Sequence, residues 1–170
     1  MAHAPTDWLH CRTDTPLGAL TLARTETGLC GAWFDDQRDV PAAERFKPEW
    51  QRPDDALLRN ACEQLQAYFS QRLQQFELPL DLGTGTAFQQ AVWHALIDIP
   101  FGRTDSYQAV AERLGRPSAT RAAGGAIGRN PLSIIVPCHR VLGRTGQLTG
   151  YSGGLWRKQA LLRLEGHTLF

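Results

Sequence analysis

The hydrophobic pattern changes period at Gly83-Thr84-Gly85, so one type of fold cannot run from end to end of this chain. Upstream, Trp8 to Arg12, Gly18 to Ala23 and Leu29 to Phe34 are short β-prone pieces separated by Thr15-Pro16 and Glu26-Thr27-Gly28. That spacing predicts a small antiparallel meander, with Cys11 and Cys30 inside its strands as packing residues. Asp35 to Asp55 is polar, carries Pro41, Pro48 and Pro53, and has no sustained period, so it reads as a long surface connection. Asp54-Asp55 then open a helical pattern in which Leu57, Leu58, Ala61, Leu65, Tyr68 and Phe69 recur at three and four, expected to run to about Gln74. Leu78 to Leu82 reads as a strand or extended linker. The expected fold is an α/β N-terminal domain over residues 1–83, a small antiparallel sheet plus a helix, followed by a mostly helical domain over 84–170.

Downstream of the break, Thr86 is placed to cap a helix with Phe88, Val92, Trp93, Leu96 and Ile97 on one face, closed by Pro100-Phe101-Gly102. Ser106 occupies an N-cap position ahead of Tyr107 to Leu114, and Gly115 is a natural stop. A second capped segment runs from Ser118 to Arg129. Two short helices joined by Gly115-Arg116-Pro117 form a helix-turn-helix pattern. The second helix is nearly all small residues with one long cation, Arg121, near its start. Small side chains suit close docking on DNA and equally suit tight packing inside a protein. A final helix is expected from about Leu155 to Glu165, with Leu155, Leu161, Leu162 and Leu164 as core candidates.

Between these helices lies Asn130-Pro131-Leu132-Ser133-Ile134-Ile135-Val136-Pro137-Cys138-His139-Arg140-Val141. Its apolar run reads as a buried strand ending at Pro137, which has no N–H to give to a sheet. A thiol, an imidazole and a guanidinium come immediately after. A thiolate is the nucleophile and a thiol is not, so a reactive cysteine needs a base or cations nearby. Adjacent side chains of an extended strand face opposite ways, so either the chain turns at Pro137 or a water bridges Cys138 and His139. A cysteine after Ile-Ile-Val also fits a small buried hydrophobe. Glu165, a carboxylate at the unfavourable end of its helix, either stays in solvent or meets a partner, and His139 is the obvious one.

Composition narrows the function classes. No segment approaches a membrane span, and Met1 to Asp7 lacks the basic start and apolar centre of a signal peptide, so a soluble cytoplasmic protein is expected. Four scattered cysteines, with no CxxC pair, indicate neither a disulfide framework nor a zinc knuckle. The net charge of +1 conceals an asymmetry: residues 1–100 carry 8 Lys+Arg against 14 Asp+Glu, and residues 101–170 carry 10 against 3. A half at +7 beside one at −6 suits a polyanion partner, or is a solvated basic face.

Pro137-Cys138-His139-Arg140-Val141, with Asn130-Pro131 before it and Gly150-Tyr151-Ser152-Gly153-Gly154-Leu155 after it, resembles the O6-alkylguanine-DNA alkyltransferases. The likeness runs from about Phe88 to Gly166 and, more loosely, through Thr15-Pro16-Leu17-Gly18 and the meander. It implies a ribonuclease H-like N-terminal domain and a helix-turn-helix that docks in the minor groove of double-stranded DNA containing an alkylated guanine. By the same resemblance Cys138 is the alkyl acceptor, His139 its base through a water, Glu165 the acid that holds His139, and Asn130 the brace of the turn. Arg121 fills the gap left by the flipped base, with Ser118, Ala119, Thr120, Ala122 and Gly124 beside it on the DNA-binding helix. Tyr107 assists rotation and donates to the base, while Tyr151, Ser152, Val141 and Pro137 line the pocket.

The reaction implied is direct damage reversal: the alkyl group moves irreversibly from O6-alkylguanine to Cys138, once per molecule, because a thioether offers no easy leaving group. O4-alkylthymine is a candidate second lesion. No cofactor, no metal, no membrane and no obligate protein partner are implied, and a monomer is expected. Ala123 stands where many members carry a bulkier aliphatic residue, and Cys11 and Cys30 do not fall on the zinc pattern of some members. No additional sensor module is expected, so a transcriptional role is not. Two other readings stand beside this one: a lesion sensor that flips the base without removing the alkyl group, a class lacking the acceptor cysteine, and a helix-turn-helix regulator whose cysteine is structural.

Overall fold

The computed structural model describes residues 8–170. The signal-peptide reading of Met1 to Asp7 lies outside the described residues. The chain divides into two compact units, residues 1–84 and 85–170.

In the first unit three strands form an antiparallel meander: β1 (Leu9–Thr13), β2 (Leu20–Arg24) and β3 (Leu29–Phe34), in that order across the sheet. Register pairs Cys11 with Leu22 and Leu22 with Ala32. Every residue of β3 is buried, and the extended segment after Glu77 bridges to its first residue, Leu29. Leu29 donates to Pro79 O at 2.9 Å and Asp81 donates back to Leu29 O at 2.7 Å, so Leu78 to Leu82 is extended and partly laddered. Gly28 permits that approach, since a Cβ there would lie 2.6 Å from Pro79 O.

Helix α1 (Ala56–Phe69) starts where Asp55 accepts the Leu58 N–H, and it buries Leu58, Ala61, Leu65 and Tyr68 against β1 and β2. Each fully buried leucine contributes roughly 1.5–3 kcal/mol. The helix stops at Phe69 rather than near Gln74, because Ser70 caps it and Gln71 takes a φ of 61°. The Asp35–Asp55 connection also departs from expectation. It holds two single 3-10 turns and is pinned to the sheet, with Phe46 against Trp8 and Trp33 and His10 Nε2 2.9 Å from Lys47 O. An aromatic residue in a polar stretch outweighs the polarity of its neighbours once it finds an apolar cluster.

The second unit is built on three helices, α2 (Ala87–Ile97), α3 (Tyr107–Arg113) and α4 (Thr120–Gly128). Thr86 and Gln89 form a reciprocal capping box at α2. Val92, Trp93 and Leu96 are buried, and Trp93 Nε1 donates to Ala126 O at 2.9 Å, tying α2 to α4. Ile97 is 40% exposed: it lies at the last turn, past the edge of the buried face. Ser106 caps α3 through the Ala109 N–H. α4 begins at Thr120 after Ala119, without a side-chain cap, so Ser118 does not cap it; the Thr120 hydroxyl turns back to Gln108.

The apolar run Leu132 to Val136 is not a strand. It is a coil of turns in which Ile135 donates to Ser133 O, Val136 to Leu132 O and Cys138 to Val136 O. Ile134 takes a φ of 73°, rare for a β-branched residue, and the burial of its side chain holds it there. A 3-10 turn over Cys138–Arg140 comes next, then β5 (Val141–Leu142), which pairs in parallel with β4 (Asp105–Ser106). Helix α5 (Leu155–Leu164) packs on the 3-10 turn and buries Arg157, Lys158, Leu161 and Leu162. Leu155 is 46% exposed and Leu164 half-buried, so the core face is shifted from the expected leucines onto two cations. No helix among the described residues is long and apolar enough to cross a membrane. Among them, no group of three His, Cys, Asp or Glu side chains is placed to hold a metal ion.

Candidate active site

Asn130 organises the approach to the cysteine. Its side-chain carbonyl accepts the Leu132 N–H at 2.9 Å, and its amide nitrogen reaches Val136 O at 2.8 Å and Cys138 Sγ at 3.2 Å. One buried side chain therefore closes the turn and touches the thiol at its end. The tight coil brings Cys138, His139 and Arg140 into a single 3-10 turn, with all three side chains buried.

Glu165, the C-cap of α5 and 5% exposed, meets two of them. His139 Nε2 lies 2.8 Å from Glu165 Oε1, and Arg140 spans both carboxylate oxygens, Nη2 to Oε1 at 2.8 Å and Nε to Oε2 at 2.9 Å. Arg140 Nη1 also donates to Ile99 O at 2.6 Å. Burial pushes the Glu165 carboxyl up, but the hydrogen bonds and charges of His139 and Arg140 outweigh it and hold it well below the usual carboxylate range. An ionised carboxylate only accepts, so Nε2 of His139 carries the hydrogen. Nδ1 is left with its lone pair, buried and without a partner. Burial also lowers the imidazole's affinity for a second proton, despite Glu165. His139 is thus held as a neutral imidazole of fixed tautomer.

The Cys138 thiol is pushed up by burial and drawn back by the Asn130 hydrogen bond and the Lys158 charge. Lys158, wholly buried, donates to Thr149 O at 2.7 Å and Gly150 O at 3.3 Å, and burial lowers it to about 8. It tethers the glycine loop and sets a positive charge near the sulfur. Sequence reading passed over it. The signal was the helical spacing of Lys158 with Leu161, Leu162 and Glu165, which puts all four on one face of α5.

Of the remaining candidates, Tyr107 lies at the start of α3 with Thr149 donating to its hydroxyl at 3.0 Å and Lys158 Nζ 6.0 Å from its ring centre. The Tyr151 hydroxyl is buried, and desolvation followed by the Cys138 charge raises it well above its ordinary value. Ser152 is half-buried in the same loop, while Val141 and Pro137 are buried beside the thiol's turn. Arg121 and Ala122 are exposed on the first turn of α4, and Ser118 is exposed just ahead of it. Ala119 and Gly124 are half-buried, and Gly124 faces the Tyr107 ring, where a Cβ would lie 3.6 Å from it. The structure therefore gathers Cys138, His139, Glu165 and Asn130 into one bonded cluster, keeps Tyr107 on its rim through Thr149 and Lys158, and leaves Arg121 apart on an open surface.

Residues 87–167 match the family model described as "6-O-methylguanine DNA methyltransferase, DNA binding domain", and residues 10–82 match its "ribonuclease-like domain". A methylated-DNA–protein-cysteine methyltransferase of Mycobacterium leprae is 48% identical over 160 residues, covering 94% of this chain and 93% of its own. One from Methanosarcina barkeri is 43% identical, covering 92% and 96%. The crystal structure of Mycobacterium tuberculosis OGT in complex with DNA superimposes with a TM-score of 0.81 at 46% identity, over 92% of this chain and 91% of that one. On these matches to both units, the chain belongs to the 6-O-methylguanine DNA methyltransferase family.

Proposed function

We propose that this protein repairs DNA by direct reversal, taking the alkyl group from O6-alkylguanine onto Cys138. The observation that carries the reading is the buried, unpartnered Nδ1 of His139 in the same turn as a buried thiol, with Nε2 locked by Glu165. The thiol proton passes through one bridging water to Nδ1, and Lys158 and Asn130 stabilise the thiolate that remains. Sulfur then attacks the alkyl carbon, a carbon–sulfur bond forms as the carbon–oxygen bond breaks, and guanine departs with its oxygen negatively charged. Tyr107 meets that charge: Thr149 already donates to its oxygen, so its own hydrogen is free for the base. The thioether left on Cys138 resists hydrolysis, and each molecule acts once.

The reacting carbon sits on a stacked base edge, so the base must leave the duplex, at a cost of a few kcal/mol. α3 and α4 serve as a helix-turn-helix in the minor groove, with Arg121 entering the stack and Ser118, Ala119, Thr120, Ala122 and Gly124 forming the close surface around it. Exposure of Arg121 on a helix of small residues supports that role. Tyr151, Ser152, Val141 and Pro137 wall the base pocket. The N-terminal unit is the ribonuclease H-like part, the domain boundary falls at 83–84, and the protein works as a monomer inside the cell. Titration with excess O6-methylguanine oligonucleotide tests the reading: repair should stop at one lesion per protein molecule, and continued turnover would overturn it.

A further inference from the structure

Two thiols outside the reaction stand against each other. Cys11 on β1 and Cys62 on α1 are 51 residues apart in sequence, yet their sulfurs are 3.8 Å apart. Cys11 is buried and Cys62 half-buried, and all four cysteines are free. The hydrogen bond shared with Cys11 outweighs burial and, with a second from Thr13, lowers Cys62; Glu63 opposes weakly. The same contact raises Cys11, as do burial, the Cys62 charge and Asp55. Burial raises Cys30 to about 12 and raises Cys138 as well. Cys62 is therefore the most reachable of the four thiols and the lowered member of its pair.

We infer that Cys11 and Cys62 form an oxidisable dithiol that closes to a disulfide in the presence of a hydroperoxide. The Cys62 thiolate attacks the peroxide O–O bond, gaining a hydroxyl as sulfenic acid and releasing an alcohol or water. The Cys11 thiol then attacks the Cys62 sulfur and expels water. Two sulfurs lose one electron each and the peroxide gains both. The disulfide needs the sulfurs about 2.05 Å apart, a movement of under about 2 Å from their present separation. The bond would staple β1 to α1 while sparing Cys138, whose thiol is buried.

The full-length protein is treated with hydrogen peroxide at neutral pH, weighed intact and mapped by peptides. The expected product has lost two hydrogens, carries a Cys11–Cys62 cross-link reversed by dithiothreitol, melts several degrees higher, and retains its thiol at Cys138. In Cys11→Ala, Cys62 should instead accumulate sulfenic and sulfinic acid. Oxidation reaching Cys138 or Cys30 before Cys62, or a Cys62 that oxidises without linking to Cys11 in the wild-type protein, would overturn the inference. The wild-type map decides even where a variant folds poorly.

Discussion

Glu165 decides the character of the cluster, because it is the one anion that both fixes the His139 tautomer and neutralises Arg140. Removing one partner of a buried pair costs about 3–5 kcal/mol, since the other charge stays behind in low dielectric. Glu165→Gln should therefore lose stability on that order and slow the reaction by replacing the charged acceptor that orients His139 with a neutral amide. The pH dependence has a definite sign. His139 and Glu165 both bind protons less readily folded than unfolded. Below the ordinary histidine value of about 6.5, and again below the ordinary glutamate value of about 4.3, the unfolded chain holds more protons and stability falls with pH. Urea unfolding at a series of pH values should show both losses in the wild type and only the histidine part in Glu165→Gln; identical profiles would contradict the assignment. At this scale the sequence was informative where chemistry sits in consecutive residues, as in Cys138-His139, and where a misplaced carboxylate demanded a partner. It was silent on Lys158, because a cation on a leucine face is normally read as solvent-exposed.

At the scale of elements, caps and breaks were legible and the reactive turn was not. Thr86, Ser106 and Asp55 start their helices as their side chains dictate. Leu132 to Val136 defeated the reading because an apolar run signals burial without distinguishing strand from coil. Here Asn130 supplies the hydrogen bonds that a neighbouring strand would have supplied. The α3–α4 pair carries its own prediction. Arg121 is exposed and outside the cysteine cluster, so Arg121→Ala should leave reaction with free O6-alkylguanine analogues within about twofold while reducing repair of duplex DNA roughly tenfold or more, the difference reflecting a few kcal/mol of unstacking. Rates measured on both substrates check this, and equal losses on both would remove Arg121 from base extrusion.

For the whole molecule, the division of charge is the feature that sequence made plainest. Ten basic against three acidic residues lie in 101–170, within the unit that holds the cysteine. Binding to duplex DNA should accordingly weaken steeply and linearly in log salt as counterions are released, and a flat response measured by fluorescence anisotropy would argue against a phosphate-facing surface. Both units belong to one family, and the proposed function rests on a single consumable thiol, Cys138, beside the buried cluster at the end of α5. Incubation with an oligonucleotide bearing O6-methylguanine, with intact mass and peptide mapping as the readout, tests that claim directly. The mass should rise by one methyl group in place of a hydrogen, located on Cys138 and absent in Cys138→Ser; an unchanged mass with tight binding to the lesion, or a methyl group on another residue, would contradict it.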